Sequence, residues 1–341
     1  MKYVLDPLLF ALDEKATQNS FECFIQQLIT LEKWQKNNPG KFFVLSDIMG
    51  LLAENDFYPF DNRVKAFIQK YGISYIQAAD VSRIMGKIID KSRQLDQLCS
   101  DRFVDYLGFE IVDPENYRFV NRSQPFLDSI GKMIWYVSLY SDEKKCSDKS
   151  FSFFFKGISN VFRVDLRYNE LIDDDIEECS RSLAISCHES VCDLLNDVNT
   201  PFLLWSNAED TNDMEWGIKS ALAQKDGVSD CMDLDQFDFC IQHSFFEDMS
   251  SHHYMDEVVV VNEGIHAIVN TILGVDKRKA HPIRENEGGN SPDLKVGRFK
   301  AFRRELPSGG RRIHYWKSGQ TFCFANIDEH KEMRISDCVV K

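Results

Sequence analysis

The chain has 341 residues, 43% of them hydrophobic and 12% aromatic, with 54 acidic and 40 basic side chains. One hydrophobic core supports at most about 250–300 residues, so this length predicts more than one domain, and the apolar content excludes a wholly disordered chain. The formal net charge of −14 argues against a protein whose entire surface binds nucleic acid. Neither a long apolar run nor a basic leader is visible, which predicts a cytoplasmic protein with no membrane contact.

The N-terminal third carries helical patterns interrupted by short strands. Strands are predicted at 3–6 and 42–45, where β-branched and aromatic residues cluster. Helices are predicted at 19–36 and 74–99, where apolar residues recur every three or four positions. We therefore predict a mainly helical domain over residues 1–105.

Residues 106–275 mix the two patterns. Strands are predicted at 109–112, 117–120, 151–155, 161–168 and 202–205. Helices are predicted at 125–140, 173–197 and 211–224, and the pattern at 258–273 fits either type. We predict an α+β domain here, a loop or linker at 276–293, and a small antiparallel β module at 294–341. The overall fold class is predicted to be α+β.

Basic residues are concentrated near the C-terminal end. Between Asp276 and Lys317 there are twelve Lys or Arg residues against five Asp or Glu residues, a local net charge of +7. A basic end on an acidic body predicts either local anion binding or a basic face that docks onto the acidic part of the chain or onto a partner. Composition alone leaves both readings open.

The ten cysteines include no pair spaced as Cys-x-x-Cys. The usual ligand spacing of a structural zinc site is therefore missing. We expect most of these cysteines to be free thiols, and Cys187 and Cys192 to be small apolar residues on the buried side of a helix.

The segment 294–341 predicts a hairpin that turns at Ser318-Gly319. Strand alternation separates a core-facing side, with Ile313 and Tyr315, from the opposite side. That opposite side presents arginine for phosphate, histidine for proton transfer and tryptophan for base stacking, through Arg312, His314 and Trp316. The alternative is a second packed layer that covers the tryptophan.

The same segment resembles the RelE/ParE toxin superfamily. The matching residues are Gly310, Arg312, Tyr315, the strand 322–327 and His330-Lys331. The resemblance covers under a fifth of the chain. It implies a helix followed by a curled antiparallel sheet, and a bacterial defence or toxin role. In the ribonuclease members such side chains promote attack of a ribose 2′-hydroxyl on the adjacent phosphate without a metal, whereas ParE-like members lack them.

The predicted function is binding of RNA or DNA by the C-terminal module, with possible metal-independent RNA cleavage and no cofactor. The predicted catalytic residues are His314, Tyr315 and His330. The predicted nucleic-acid-binding residues are Lys300, Arg303, Arg304, Arg311, Arg312, Trp316 and Lys317.

Two alternatives belong to other classes of protein. The first is a non-enzymatic interaction subunit whose acidic body binds a protein partner. The second is a metal-dependent nuclease, because Asp6 after the first strand resembles the opening of PIN-type metal nucleases, and residues 243–257 hold three histidines and several carboxylates.

Overall fold

The computed structural model describes residues 1–98, 104–114, 122–144, 150–172, 175–226, 237–275, 280–286, 291–308, 310–329 and 334–338. The chain divides into two compact units. The first is Lys2–Asp193, and the second is Leu194–Lys341 together with Met1. They are called the N-terminal unit and the C-terminal unit below. The fold class is α+β, as predicted. The predicted boundary near residue 105 lies inside the N-terminal unit, and the one near residue 275 lies inside the C-terminal unit.

The N-terminal unit is built on a seven-stranded mixed sheet. Its strands are β1 (Lys2–Leu5), β2 (Phe42–Val44), β3 (Arg93–Gln94), β4 (Val104–Asp113), β5 (Phe151–Phe154), β6 (Asn160–Ile172) and β7 (Asp175–His188). They lie in the order β3-β2-β1-β5-β7-β6-β4. The neighbours from β3 to β7 are parallel, whereas β6 is antiparallel to both β7 and β4. The pairing of β1 with β5 joins residues on either side of residue 105 in one sheet.

In the described part of this unit five α-helices accompany the sheet, and the first shows why the sequence folds as it does. The helices are α1 (Gln18–Asn37), α2 (Ile48–Glu54), α3 (Asp61–Tyr71), α4 (Ala78–Lys91) and α5 (Gln124–Lys144). The Thr17 hydroxyl caps α1 by accepting a hydrogen bond from the Ser20 amide at 3.2 Å, which satisfies a backbone donor at the helix end. The side chains that α1 buries recur at helical spacing, from Phe21 to Trp34, as predicted.

The predicted helix at 173–197 is wrong over most of its length. Residues Asp175–His188 form the strand β7, and only Val191–Asn196 is helical, as α6. Leu183, Ile185 and Cys187 are buried while the residues between them are more exposed, which is the period of two of a strand. Cys187 is therefore buried on a strand and not on a helix. The predicted strand at 117–120 lies outside the described residues.

The C-terminal unit pairs a second sheet with helices. Its helices are α7 (Thr200–Ser206), α8 (Thr211–Asp226), α9 (His243–Ser251) and α10 (Val258–Leu273). Its strands are β8 (Phe239–Ile241), β9 (His281–Pro282), β10 (Lys295–Val296), β11 (Phe299–Glu305), β12 (Arg311–Ser318) and β13 (Thr321–Glu329). The sheet order is β10-β11-β12-β13-β8, and β9 pairs with β11. Among the described residues, no helix combines the length and apolar character that a membrane span requires.

The strand predicted at 202–205 is wrong, because these residues lie in α7. Pro201 lies in the first turn of that helix, where the fixed backbone of proline is tolerated. Trp205 is fully buried and donates its indole N–H to the Met214 carbonyl at 2.8 Å. The apolar run therefore reflects burial in a helical core, which a short pattern does not distinguish from a buried strand.

Most of the cysteines among the described residues are free, as predicted. The free thiols are Cys23, Cys179, Cys187, Cys240, Cys323 and Cys338. Cys192 is disulfide-bonded and so departs from the prediction for its own position. Burial raises the pKa of the Cys187 thiol, so this buried side chain stays protonated at neutral pH.

Candidate nucleic-acid interface

The predicted hairpin is present, with its turn one residue later than predicted. Ser318 pairs with Thr321, so the turn residues are Gly319 and Gln320 and not Ser318 and Gly319. Gly319 has a φ of +61°, a conformation that glycine adopts at the first position of a tight hairpin turn. The partners on β13 move by two positions for Tyr315 to Lys317 and by three for Arg312 to His314, because the register shifts between His314 and Tyr315. Ile313, Tyr315 and Trp316 stay on their predicted faces.

The core-facing side of β12 is as predicted. Ile313 and Tyr315 belong to the larger apolar core of the unit, together with Phe322 and Phe324. The Tyr315 ring lies 5.6 Å from the Phe302 ring and 5.6 Å from the Phe324 ring. Tyr315, a predicted catalytic residue, is therefore a buried core side chain in this structure.

The opposite side of β12 is covered by the chain itself. Residues 334–338, called the C-terminal segment below, lie against it. The Trp316 indole N–H donates to the Ser336 carbonyl at 2.9 Å, and the Ser336 amide donates to Asn326 at 3.0 Å. Trp316 is 2% exposed. The structure thus has the packed layer that was the alternative to an open base-stacking surface.

His314 lies under the same layer and is fully buried. Its Nδ1 atom lies 2.9 Å from the Arg334 carbonyl, and its Nε2 atom has no hydrogen-bond partner among the described residues. Burial, together with the nearby positive charges of Arg303 and Arg312, lowers the pKa of His314 to about 4. The ring is therefore neutral at pH 7 and has no open path to a substrate while the C-terminal segment is in place.

The predicted nucleic-acid-binding arginines already have intramolecular partners. Arg311 contacts both oxygens of Glu257, at 3.1 and 3.2 Å, and Arg312 pairs with Glu305 at 3.0 Å. Arg304 is buried and donates to the Ala267 carbonyl and to the Thr271 hydroxyl. These guanidinium groups are engaged in holding the fold together. Desolvation lowers the pKa of the half-buried Arg303.

Lysines, in contrast, line up across three strands. Lys295 on β10 pairs directly with Lys300 on β11, which pairs directly with Lys317 on β12. Paired residues in antiparallel strands project to the same face of the sheet, so the three side chains form one row, called the lysine row below. Lys295 and Lys300 are exposed and Lys317 is half-buried, with its ammonium group 4.9 Å from the Phe322 ring centroid. Within the described part of the chain, none of the three forms an ion pair.

Lys300 and Lys317 were predicted from the sequence, whereas Lys295 was not. The hairpin that places Lys295 has Gly297 and Arg298 as its turn, between Val296 and Phe299. Gly297 has a φ of +56°. A positive φ is what the first position of a two-residue hairpin turn requires, and glycine adopts it readily. A Gly-Arg pair flanked by valine and phenylalanine was therefore the signal that could have extended the sheet by one strand.

The residues of the metal-nuclease alternative do not converge. The Asp6 carboxylate pairs with Arg122 at 2.7 Å, where the two side chains are 0% and 3% exposed, and it also accepts the Leu8 and Lys156 amides. No group of three or more His, Cys, Asp or Glu side chains suited to a metal ion occurs among the described residues. Asp6 is thus held by a buried cation. The predicted catalytic residue His330 lies outside the described residues.

The histidines near residue 250 form separate exposed pairs. His243 pairs with Glu247 at 3.3 Å, and His253 pairs with Asp256 at 3.6 Å.

Comparison with known protein families, with curated proteins and with solved structures gives no match.

Proposed function

We propose that the C-terminal unit binds the phosphate backbone of RNA or DNA through the lysine row. The observation that supports this is the direct pairing of Lys295 with Lys300 and of Lys300 with Lys317, with no carboxylate partner among the described residues. Like charges placed directly opposite each other in a sheet destabilise it. An anion that bridges the ammonium groups removes this repulsion.

A polyanion suits the row better than a single small anion. Adjacent strands lie about 4.7–4.9 Å apart, so the row extends over about 10 Å and its flexible side chains extend that reach. Arg298, in the turn next to the row, is also exposed. Successive backbone phosphates match such a line of cations, and lysine binds phosphate as a point charge without reading the base. The binding is therefore expected to depend on salt and to be insensitive to sequence.

RNA cleavage by His314 is not part of this proposal, because that side chain is buried and neutral. A relation to RelE/ParE toxins stays a prediction. Its support is the order of a helix, α10, followed by the antiparallel strands β11 to β13. The expected protein partner on the acidic part of the chain also stays a prediction.

Fluorescence anisotropy with a labelled single-stranded RNA and a labelled DNA duplex tests the proposal. The full-length protein is expected to bind both, and Lys300→Gln is expected to weaken both, because it removes the central charge of the row. Lys65→Gln is the matched control, since Lys65 is an exposed lysine of α3 in the other unit. Equal affinities for the wild-type protein and the Lys300 variant would refute the proposal.

A further inference from the structure

Two thiols of the C-terminal unit lie side by side on neighbouring strands. β8 is an edge strand that runs parallel to β13, and Cys240 is the direct partner of Cys323 in that pairing. Neighbouring strands lie about 4.7–4.9 Å apart, and disulfides span Cα distances of about 4.4–6.8 Å. The two thiols are also hydrogen-bonded to each other. The pairing thus places the two Cα atoms within the range that disulfides span.

The surroundings make the two thiols chemically different. The Cys323 sulfur accepts a hydrogen bond from the Gln242 side-chain amide at 3.2 Å and another from the Cys240 thiol. Hydrogen bonds to the charged form favour it, so the pKa of Cys323 is lowered. The pKa of Cys240 is raised, since this thiol is the donor in their shared hydrogen bond and is also partly desolvated. Cys323 is therefore the nucleophile of the pair.

The pair lies at the edge of the sheet, with Cys240 on the edge strand. Cys323 is fully buried, whereas Cys240 is half-buried on the edge strand. The side chains packed around Cys323 are otherwise small or apolar and include Ala301, Ala325 and Trp316. Cys338 of the C-terminal segment packs against the same cluster. Three thiols are thus concentrated in one small region, and two of them are in bonding register.

We propose that Cys240 and Cys323 form a redox-sensitive dithiol that hydrogen peroxide converts to a disulfide. The Cys323 thiolate attacks one peroxide oxygen, the O–O bond breaks, and a sulfenic acid and hydroxide form. The Cys240 sulfur then attacks the sulfenic sulfur, the S–S bond forms, and hydroxide leaves and takes up the Cys240 proton as water. Two electrons pass from the two sulfur atoms to the peroxide. The product ties the edge strand β8 to β13.

Peptide mapping of the full-length protein tests this proposal. Reduced protein is freed of reductant, treated with hydrogen peroxide, alkylated under denaturing conditions and digested. The expected result is a cross-linked peptide containing Cys240 and Cys323. This cross-link should form faster than peroxide oxidises the exposed thiol Cys23. Reduction with dithiothreitol should restore both thiols. Peroxide treatment that leaves both thiols alkylatable while Cys23 is consumed would overturn the proposal.

Two variants test which thiol is oxidised first and whether Cys338 takes part in the disulfide. In Cys240→Ser, the disulfide is lost and dimedone is expected to label Cys323 as a sulfenic acid. In Cys338→Ser, the Cys240–Cys323 cross-link is expected to form as in the wild-type protein. A wild-type cross-link that joins Cys338 to either of the other two thiols, in place of the Cys240–Cys323 bond, would overturn the assignment. Circular dichroism of each variant checks that it is folded.

Discussion

Stepwise removal of the lysine row gives a quantitative test of the backbone-binding surface. The variants are Lys295→Gln, Lys300→Gln, Lys317→Gln and the triple variant. Each phosphate contact with a single strand contributes about −0.7 to the slope of log K against log salt. Three contacts therefore contribute about −2.1, and raising salt from 50 to 200 mM should weaken binding by about 18-fold through these contacts alone. Each single variant should flatten the slope by about 0.7, and the triple variant by about 2.1.

The same variants should not destabilise the protein. Two ammonium groups about 6 Å apart in water repel by about 0.7 kcal/mol before salt screening. Lys300 has such a neighbour on either side, so Lys300→Gln should leave the free energy of unfolding unchanged or raise it by up to ~1 kcal/mol. Weaker binding in a protein of equal or higher stability separates a direct contact from a folding defect.

Anisotropy titrations with a single-stranded RNA over a series of salt concentrations measure the slopes, and urea unfolding measures the stability. Lys65→Gln controls for the loss of one positive charge, and its slope should equal that of the wild-type protein. A triple variant whose slope equals the wild-type slope would show that phosphate contacts lie elsewhere on the molecule. That result would refute the reasoning from strand register.

Three further predictions concern the fold. Arg122→Met should lower the free energy of unfolding by about 3–5 kcal/mol in urea titrations, because it leaves the buried Asp6 carboxylate without its cation; unchanged stability would show that the pair is not needed. Gly217→Ala should cost about 1–3 kcal/mol and lower the Tm, because a Cβ there would lie 2.5 Å from the Trp205 ring; a raised Tm would mean that helix propensity outweighs the clash. His314 has a folded-state pKa of about 4, below its unfolded value, so the folded state binds fewer protons and loses up to ~3 kcal/mol as pH falls from 6.5 to 4. His314→Gln should remove that part of the pH dependence, and an identical pH profile in the variant would contradict it.

Local patterns were informative wherever one period described a whole element. The helix α1 was predicted within a residue or two, because its buried side chains recur every three or four positions. The faces of β12 were also predicted correctly even though the turn moved, since alternation depends only on the strand itself. The α+β class followed from the mixture of these two periods.

Local patterns failed where helix and strand periods both fit, or where an apolar run was too short to show which period it follows. The strand β7 was predicted as helix for the first reason, and α7 was predicted as strand for the second. In both cases the outcome depends on the neighbouring elements: β7 pairs with β5 and β6, and Trp205 is packed among helices.

The sequence by itself determined the fold class, the basic character of the C-terminal end and the two faces of its hairpin. Tertiary structure alone decided which of the predicted side chains are available to bind a nucleic acid. Glu257 neutralises Arg311 from 54 residues away, and the C-terminal segment encloses Trp316. It also decided that Cys240 meets Cys323 and that three lysines form a row. The physical reason is that a strand's own alternation sets the direction of each side chain, whereas its neighbours depend on pairing register between distant segments.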